Sequence, residues 1–105
     1  MSDSETTAPE QPQDEFPLPE PSFNWLIFSL RMEVEMRLGL LHSGEEKDRP
    51  KPNLQAARHA IDLLAILQEK TKGNLTLEEQ RFLEHSLTEL RFRYVQAVEE
   101  SKKQS

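Results

Sequence analysis

The sequence predicts an all-α fold of three helices, the second and third joined as an antiparallel hairpin, behind a disordered, acidic and proline-rich amino-terminal tail. Three observations predict it. Apolar residues recur at spacings of three and four in three separate runs, the period of a helix with a buried face. The stretch Gln68-Glu69-Lys70-Thr71-Lys72-Gly73-Asn74-Leu75-Thr76-Leu77-Glu78-Glu79 spells one helix end and the next helix start. Residues 1 to 21 hold five of the seven prolines and six of the nineteen acidic residues, with no Lys or Arg.

The tail is taken as residues 1 to 21. Its only apolar side chains apart from proline are Met1, Ala8, Phe16 and Leu18, too few to offset the entropy lost on ordering. Its acids, Asp3, Glu5, Glu10, Asp14, Glu15 and Glu20, account for the whole formal net charge of −6, because thirteen acidic and thirteen basic residues remain in the other 84. The acidity therefore points to a solvated extension more than to a charged groove. An acidic, proline-rich start does not read as an export signal. The apolar-leaning run Phe23 to Leu30 includes Asn24 and Ser29 and stops at Arg31, short of the roughly 20 residues that span a bilayer. With no cysteine, a disulfide framework is excluded, and a cytoplasmic setting is expected.

The domain is expected over residues 22 to 100. Helix 1 is expected from Ser22, a good amino-terminal cap after Pro21, to Leu41, where His42-Ser43-Gly44 ends it. One stripe runs through Phe23, Ile27, Leu30, Val34, Leu38 and Leu41. A second, through Trp25, Phe28, Met32, Met36 and Leu40, lies nearly opposite. Met32, Val34, Met36 and Leu38 also alternate as a strand would, but Met, Glu, Arg and Leu favour helix and the helical spacing covers the whole run. Residues 42 to 53, with Pro50, Pro52 and the charges Glu45 to Arg49, read as a solvated connector.

Helix 2 is expected over residues 54 to 72, capped by Asn53. Leu54, Ala57, Ile61, Leu64 and Ala65 share one side, widened by Ala60, Leu63 and Leu67, and Arg58 and Asp62 are spaced as an outer ion pair. Gly73 suits the left-handed conformation that closes a helix, with Lys70 and Lys72 at the carbonyl end. Thr76 and Glu79 read as a capping box for helix 3, expected over residues 77 to 100. Leu83, Leu87, Leu90, Tyr94 and Val98 form its core stripe, and Phe92 and Val95 lie off it. Residues 101 to 105 are expected to fray.

The runs Ile61-Asp62-Leu63-Leu64 and Leu67 to Thr76, then Glu79, Leu90-Arg91 and Tyr94-Val95, resemble a small bacterial helical family, domain of unknown function eighteen-forty-four. The resemblance covers roughly Asn53 to Val95, with a looser apolar match over helix 1. It implies a helical fold in a bacterial cytoplasmic protein and brings no activity with it.

The residues do not point to an enzyme, and no cofactor or metal is expected. His42, His59 and His85 lack ligand spacing; His59 and Asp62 are two donors without a third. Gly39, Gly44 and Gly73 form no phosphate loop. Ser22, Ser29 and Ser86 have no nucleophile context. Arg81, Arg91 and Arg93, interleaved with Phe92 and Tyr94, are the candidate nucleic-acid or ribosome contacts, against which stand the neutral domain and the acids of the same helix.

The second stripe of helix 1 admits two readings. Either helix 1 is central and both stripes are covered by helices 2 and 3, or Trp25, Phe28, Met32, Met36 and Leu40, with Phe92 and Val95 from helix 3, face a protein partner or a second copy of the chain. Aromatic residues and Met are enriched at such interfaces. The expected function is a small non-catalytic interaction module or regulatory adaptor, with a nucleic-acid or ribosome accessory role as the alternative.

Overall fold

A computed structural model of the chain describes residues 17–103. Three helices, α1 (Phe23–Arg37), α2 (Leu54–Lys70) and α3 (Leu77–Lys103), make up the described domain, with a single 3-10 turn at Glu46–Asp48 and no strand among the described residues. Residues 17 to 22 are exposed and belong to no helix or strand; the rest of the expected tail, and residues 104 and 105, lie outside the described residues.

Each helix starts at the residue whose chemistry predicts it. The Ser22 hydroxyl accepts from the Trp25 N–H at 3.0 Å, and Asn53 Oδ1 accepts from the Ala56 N–H at 3.0 Å. Thr76 and Glu79 satisfy each other reciprocally. The Thr76 N–H donates to Glu79 Oε1 at 2.9 Å, and the Glu79 N–H donates to Thr76 Oγ1 at 3.1 Å, which pairs two of the donors that a helix start otherwise leaves open.

The helix ends differ from expectation. α1 stops at Arg37 rather than Leu41, because Gly39 takes φ +77° and turns the chain into a double-bonded cap. The Gly39 N–H donates to Met36 O at 3.0 Å and the Leu40 N–H to Glu35 O at 2.9 Å, the pairing that closes a helix with a left-handed residue. Two further features hold the connector against this turn. Pro50 O lies 2.6 Å from where a Gly39 Cβ would stand, and the Asn53 N–H donates to Arg37 O at 2.7 Å. Leu41 is consequently off the helix and half exposed instead of completing the core stripe. α2 stops at Lys70, two residues early, where the Thr71 hydroxyl donates to Leu67 O at 2.8 Å. Gly73, at φ +83°, follows in the turn. α3 runs on through residues 101 to 103, which were expected to fray.

α2 runs antiparallel to α3, as the hairpin requires, and every pair of helices is in contact. Arg37 meets Asn53 at one end of α1, so α1 is also antiparallel to α2 and runs parallel to α3. The core lies on the shared axis of the three: Ile27, Val34 and Leu38; Ala57, Ala60, Ile61 and Leu64; Leu83, Leu87 and Leu90. Phe23, Leu30, Leu54, Leu67, Phe82 and Tyr94 close its edges. Burying each such Leu, Ile or Val side chain fully is worth about 1.5–3 kcal/mol, and each helix contributes one stripe to this core.

Candidate functional site

α1 touches both other helices through one side only. Around a helix of 3.6 residues per turn, Ile27, Val34 and Leu38 point inward, and the stripe of Trp25, Phe28, Met32 and Met36 points outward. These four are 37%, 40%, 39% and 53% exposed. The Trp25 and Phe28 rings stack with centroids 5.2 Å apart at an interplanar angle of 26°, which fixes the wider end of the stripe. Neither α2 nor α3 covers it, so the central-helix arrangement with two covered stripes is not the one adopted. Leu40 does not continue the stripe as expected. The turn at Gly39 carries it off the helix, and it packs half-buried against the core.

Phe92 and Val95 are 62% and 55% exposed on the outer side of α3, but they do not extend the α1 stripe. Nine positions separate Phe92 from Leu83, which places it about 180° from the core. Between it and α1 runs a band of charges. Arg31, on α1 between the inward and outward stripes, pairs with Glu89 of α3, lies 3.5 Å from Glu35 and donates to the Ser86 hydroxyl at 3.3 Å. Glu89 also takes Arg93 at 3.3 Å. The Arg31 guanidinium, helped by hydrogen bonds from Arg93 and Arg31 and opposed by burial, holds the Glu89 carboxyl below the ordinary carboxylate range. Ser86 is fully buried, and Arg31 is what satisfies it. Sequence reasoning missed this cluster. Its signal was Arg31, a charge placed at the margin of an apolar stripe.

The three arginines weighed for nucleic acid do not converge. Arg81 and Arg91 are exposed, ten residues and so about 15 Å apart along the axis. Arg93 is about 200° around the helix from Arg91 and is engaged by Glu89. Arg58 and Asp62 form the outer pair expected of them, at 3.4 Å. Among the described residues no group of three or more His, Asp or Glu is placed to hold a metal ion, and no helix is long and apolar enough to cross a membrane.

The family model described as a domain of unknown function (DUF1844) matches residues 20–96. The chain belongs to this family. The match takes in all of α1 and α2 and the first twenty residues of α3, so the stripe-bearing helix lies within the matched region, and residues 1 to 19 lie ahead of it. No curated protein and no solved structure matches the chain.

Proposed function

We propose that this DUF1844 protein is a small, non-catalytic interaction module of the cytoplasm, docking a protein partner or a second copy of itself through the outer stripe of α1. The observation that carries the reading is the exposure of Trp25, Phe28, Met32 and Met36 as one row, on a helix whose opposite side already supplies the core. Large aromatic and Met side chains in a row are the composition of an interface centre. A domain this small buries only about 60–70% of its unfolded surface by folding alone, which leaves association as a further source of stability. The paired charges beside the stripe, Arg31 with Glu35 and Arg37 with Glu33 at 2.8 Å, suit a rim that needs no charged partner.

Sedimentation across a concentration series, read together with acrylamide quenching of Trp25, tests this. Self-association appears as a concentration-dependent mass and a Trp25 that becomes protected as the mass rises. Phe28→Glu with Met32→Lys then gives a monomer that keeps its helix content, because both side chains project to solvent and not into the core. If the unmodified protein stays monomeric, the same double variant is compared with it for loss of partners bound in the cell. Unchanged partners would overturn the reading.

A further inference from the structure

The apolar surface outside the core does not end at the α1 stripe. Leu26 on α1 is 45% exposed, and Leu63 and Ile66 on α2 are 45% and 53% exposed. Their neighbours fix which way they face. Arg31 reaches α3 through Glu89, and Leu26, five residues earlier, lies about 140° round the helix, across Ile27 and Val34 on the margin toward α2. Arg58 lies on the α3 margin of α2, where Tyr94 of α3, and then Asp62, hold its pKa above the ordinary value. Leu63, five residues later, flanks Ile61 and Leu64 on the other side, toward α1. The two leucines also share a level. Leu26 stands eleven residues before Arg37 and Leu64 eleven after Asn53, and the Asn53 N–H to Arg37 O bond sets those two positions side by side. Equal helical rise then brings Leu26 level with Leu63 and Leu64. Ile66, one turn beyond Leu63, shares its face. At the other end of α1 the same margin holds the paired charges Glu33 and Arg37, so the apolar face is broad at Trp25 and Leu26 and narrows toward Met36.

We propose that this two-helix face joins two copies of the chain about a twofold axis, with α1 antiparallel to the α1 of the partner subunit. The inference rests on the reading of the stripe as an interface and names its occupant. Area argues for the wider face. At about 150–250 Å² for a large apolar side chain, the exposed fractions of the four stripe residues leave under about 900 Å² between two copies, short of the roughly 1,000 Å² that a specific interface clears. Adding Leu26, Leu63 and Ile66 raises the total to about 900–1,600 Å², which reaches the range of specific dimers. Charge argues for a like partner. The charges bordering the stripe are paired within the chain, and residues 22 to 105 are formally neutral, so the face carries no sign that selects an acidic or a basic protein, and two copies meet without repulsion. Shape sets the direction. A parallel pair would set Trp25 against Trp25 and hold the Met36 ends apart, whereas the antiparallel pair lays each broad end over a narrow one and packs at even spacing. A twofold contact of this kind is closed, so assembly stops at the dimer.

The chain has no cysteine, so Lys70→Cys, at an exposed position beside the broad end of the face, carries one nitroxide label per full-length chain. By the same register the label stands about 15 Å along the axis from the middle of the stripe. Pulsed electron resonance is expected to find the two labels of a dimer about 30 Å apart. A much shorter distance would mean a parallel pair and overturn the antiparallel arrangement. Leu63→Glu with Ile66→Lys, both at exposed positions of α2, is expected to raise the dimer dissociation constant about tenfold or more in sedimentation, with helix content unchanged by circular dichroism. If that variant dimerises as the unmodified chain does while Phe28→Glu with Met32→Lys dissociates, the α2 part of the face is overturned and the stripe reading stands. A chain that is monomeric at every concentration overturns the dimer, even where the stripe is then found to hold a different protein.

Discussion

Replacing Gly39 and Gly73 by alanine, one at a time, separates the cost of a backbone conformation from the cost of a contact. The two glycines have nearly the same φ, +77° and +83°. An added Cβ at Gly73 meets nothing within 4 Å, whereas at Gly39 it stands 2.6 Å from Pro50 O. The left-handed conformation costs an L-residue about 1–2 kcal/mol, and the narrower unfolded ensemble of alanine returns about 0.4–1 kcal/mol. Gly73→Ala is therefore expected to lose about 1 kcal/mol or less. Gly39→Ala carries the same term and must also push a backbone carbonyl back by more than half an ångström. That carbonyl belongs to the connector that ends in the Asn53 N–H to Arg37 O bond, so loosening that bond adds about 0.5–1.5 kcal/mol, and the displaced proline backbone adds strain. A total near 3 kcal/mol is expected for Gly39→Ala. Urea unfolding followed by circular dichroism measures both, and at about 4–8 °C per kcal/mol for a domain of this size the melting temperatures separate clearly. Equal losses at the two positions would show that the connector yields freely, and would refute the claim that Pro50 is held against the end of α1.

Thr76→Ala removes the hydroxyl that accepts the Glu79 N–H and is expected to cost about 1 kcal/mol, with the loss of amide-exchange protection concentrated in the first turn of α3. A loss spread evenly over the domain would contradict that assignment. Glu89 makes stability depend on acid. Its folded pKa lies below the ordinary value, so its contribution is complete above the unfolded value of about 4.3 and disappears as pH falls through the folded value. Glu89→Gln should therefore be less stable than the unmodified protein at neutral pH, with the gap closing as melts are repeated below about pH 4; a gap of constant size would mean that the Arg31 pairing is not what sets it. Arg31→Met leaves the buried Ser86 hydroxyl without its guanidinium partner and should shift the Glu89 titration back toward the ordinary range, read from its side-chain carboxyl chemical shift.

The start of every helix was determined by the sequence alone, because a cap is a local event. Ser22, Asn53 and the Thr76–Glu79 pair each bond to a backbone N–H three residues away, and no distant residue is needed. The core stripes were legible for the same reason, since helical periodicity is fixed by the backbone itself. The end of α1 was not. Gly39 sits inside an apolar pattern that continues to Leu41, and what makes the chain turn there is a left-handed residue whose missing side chain leaves room for Pro50, eleven residues on. Nor was the fate of the second stripe legible. Periodicity states that Trp25, Phe28, Met32 and Met36 share a side of α1, but whether that side is covered depends on where α2 and α3 lie. The structure brings both onto the Ile27 and Val34 side, where Arg31 reaches across to Ser86 and Glu89. The same packing brings Arg93 to a groove that Arg49 and Lys51 of the connector also line, a meeting of segments more than forty residues apart. Spacing along a chain fixes which residues share a face; only the packing of three helices decides which faces meet each other and which are left to meet something else.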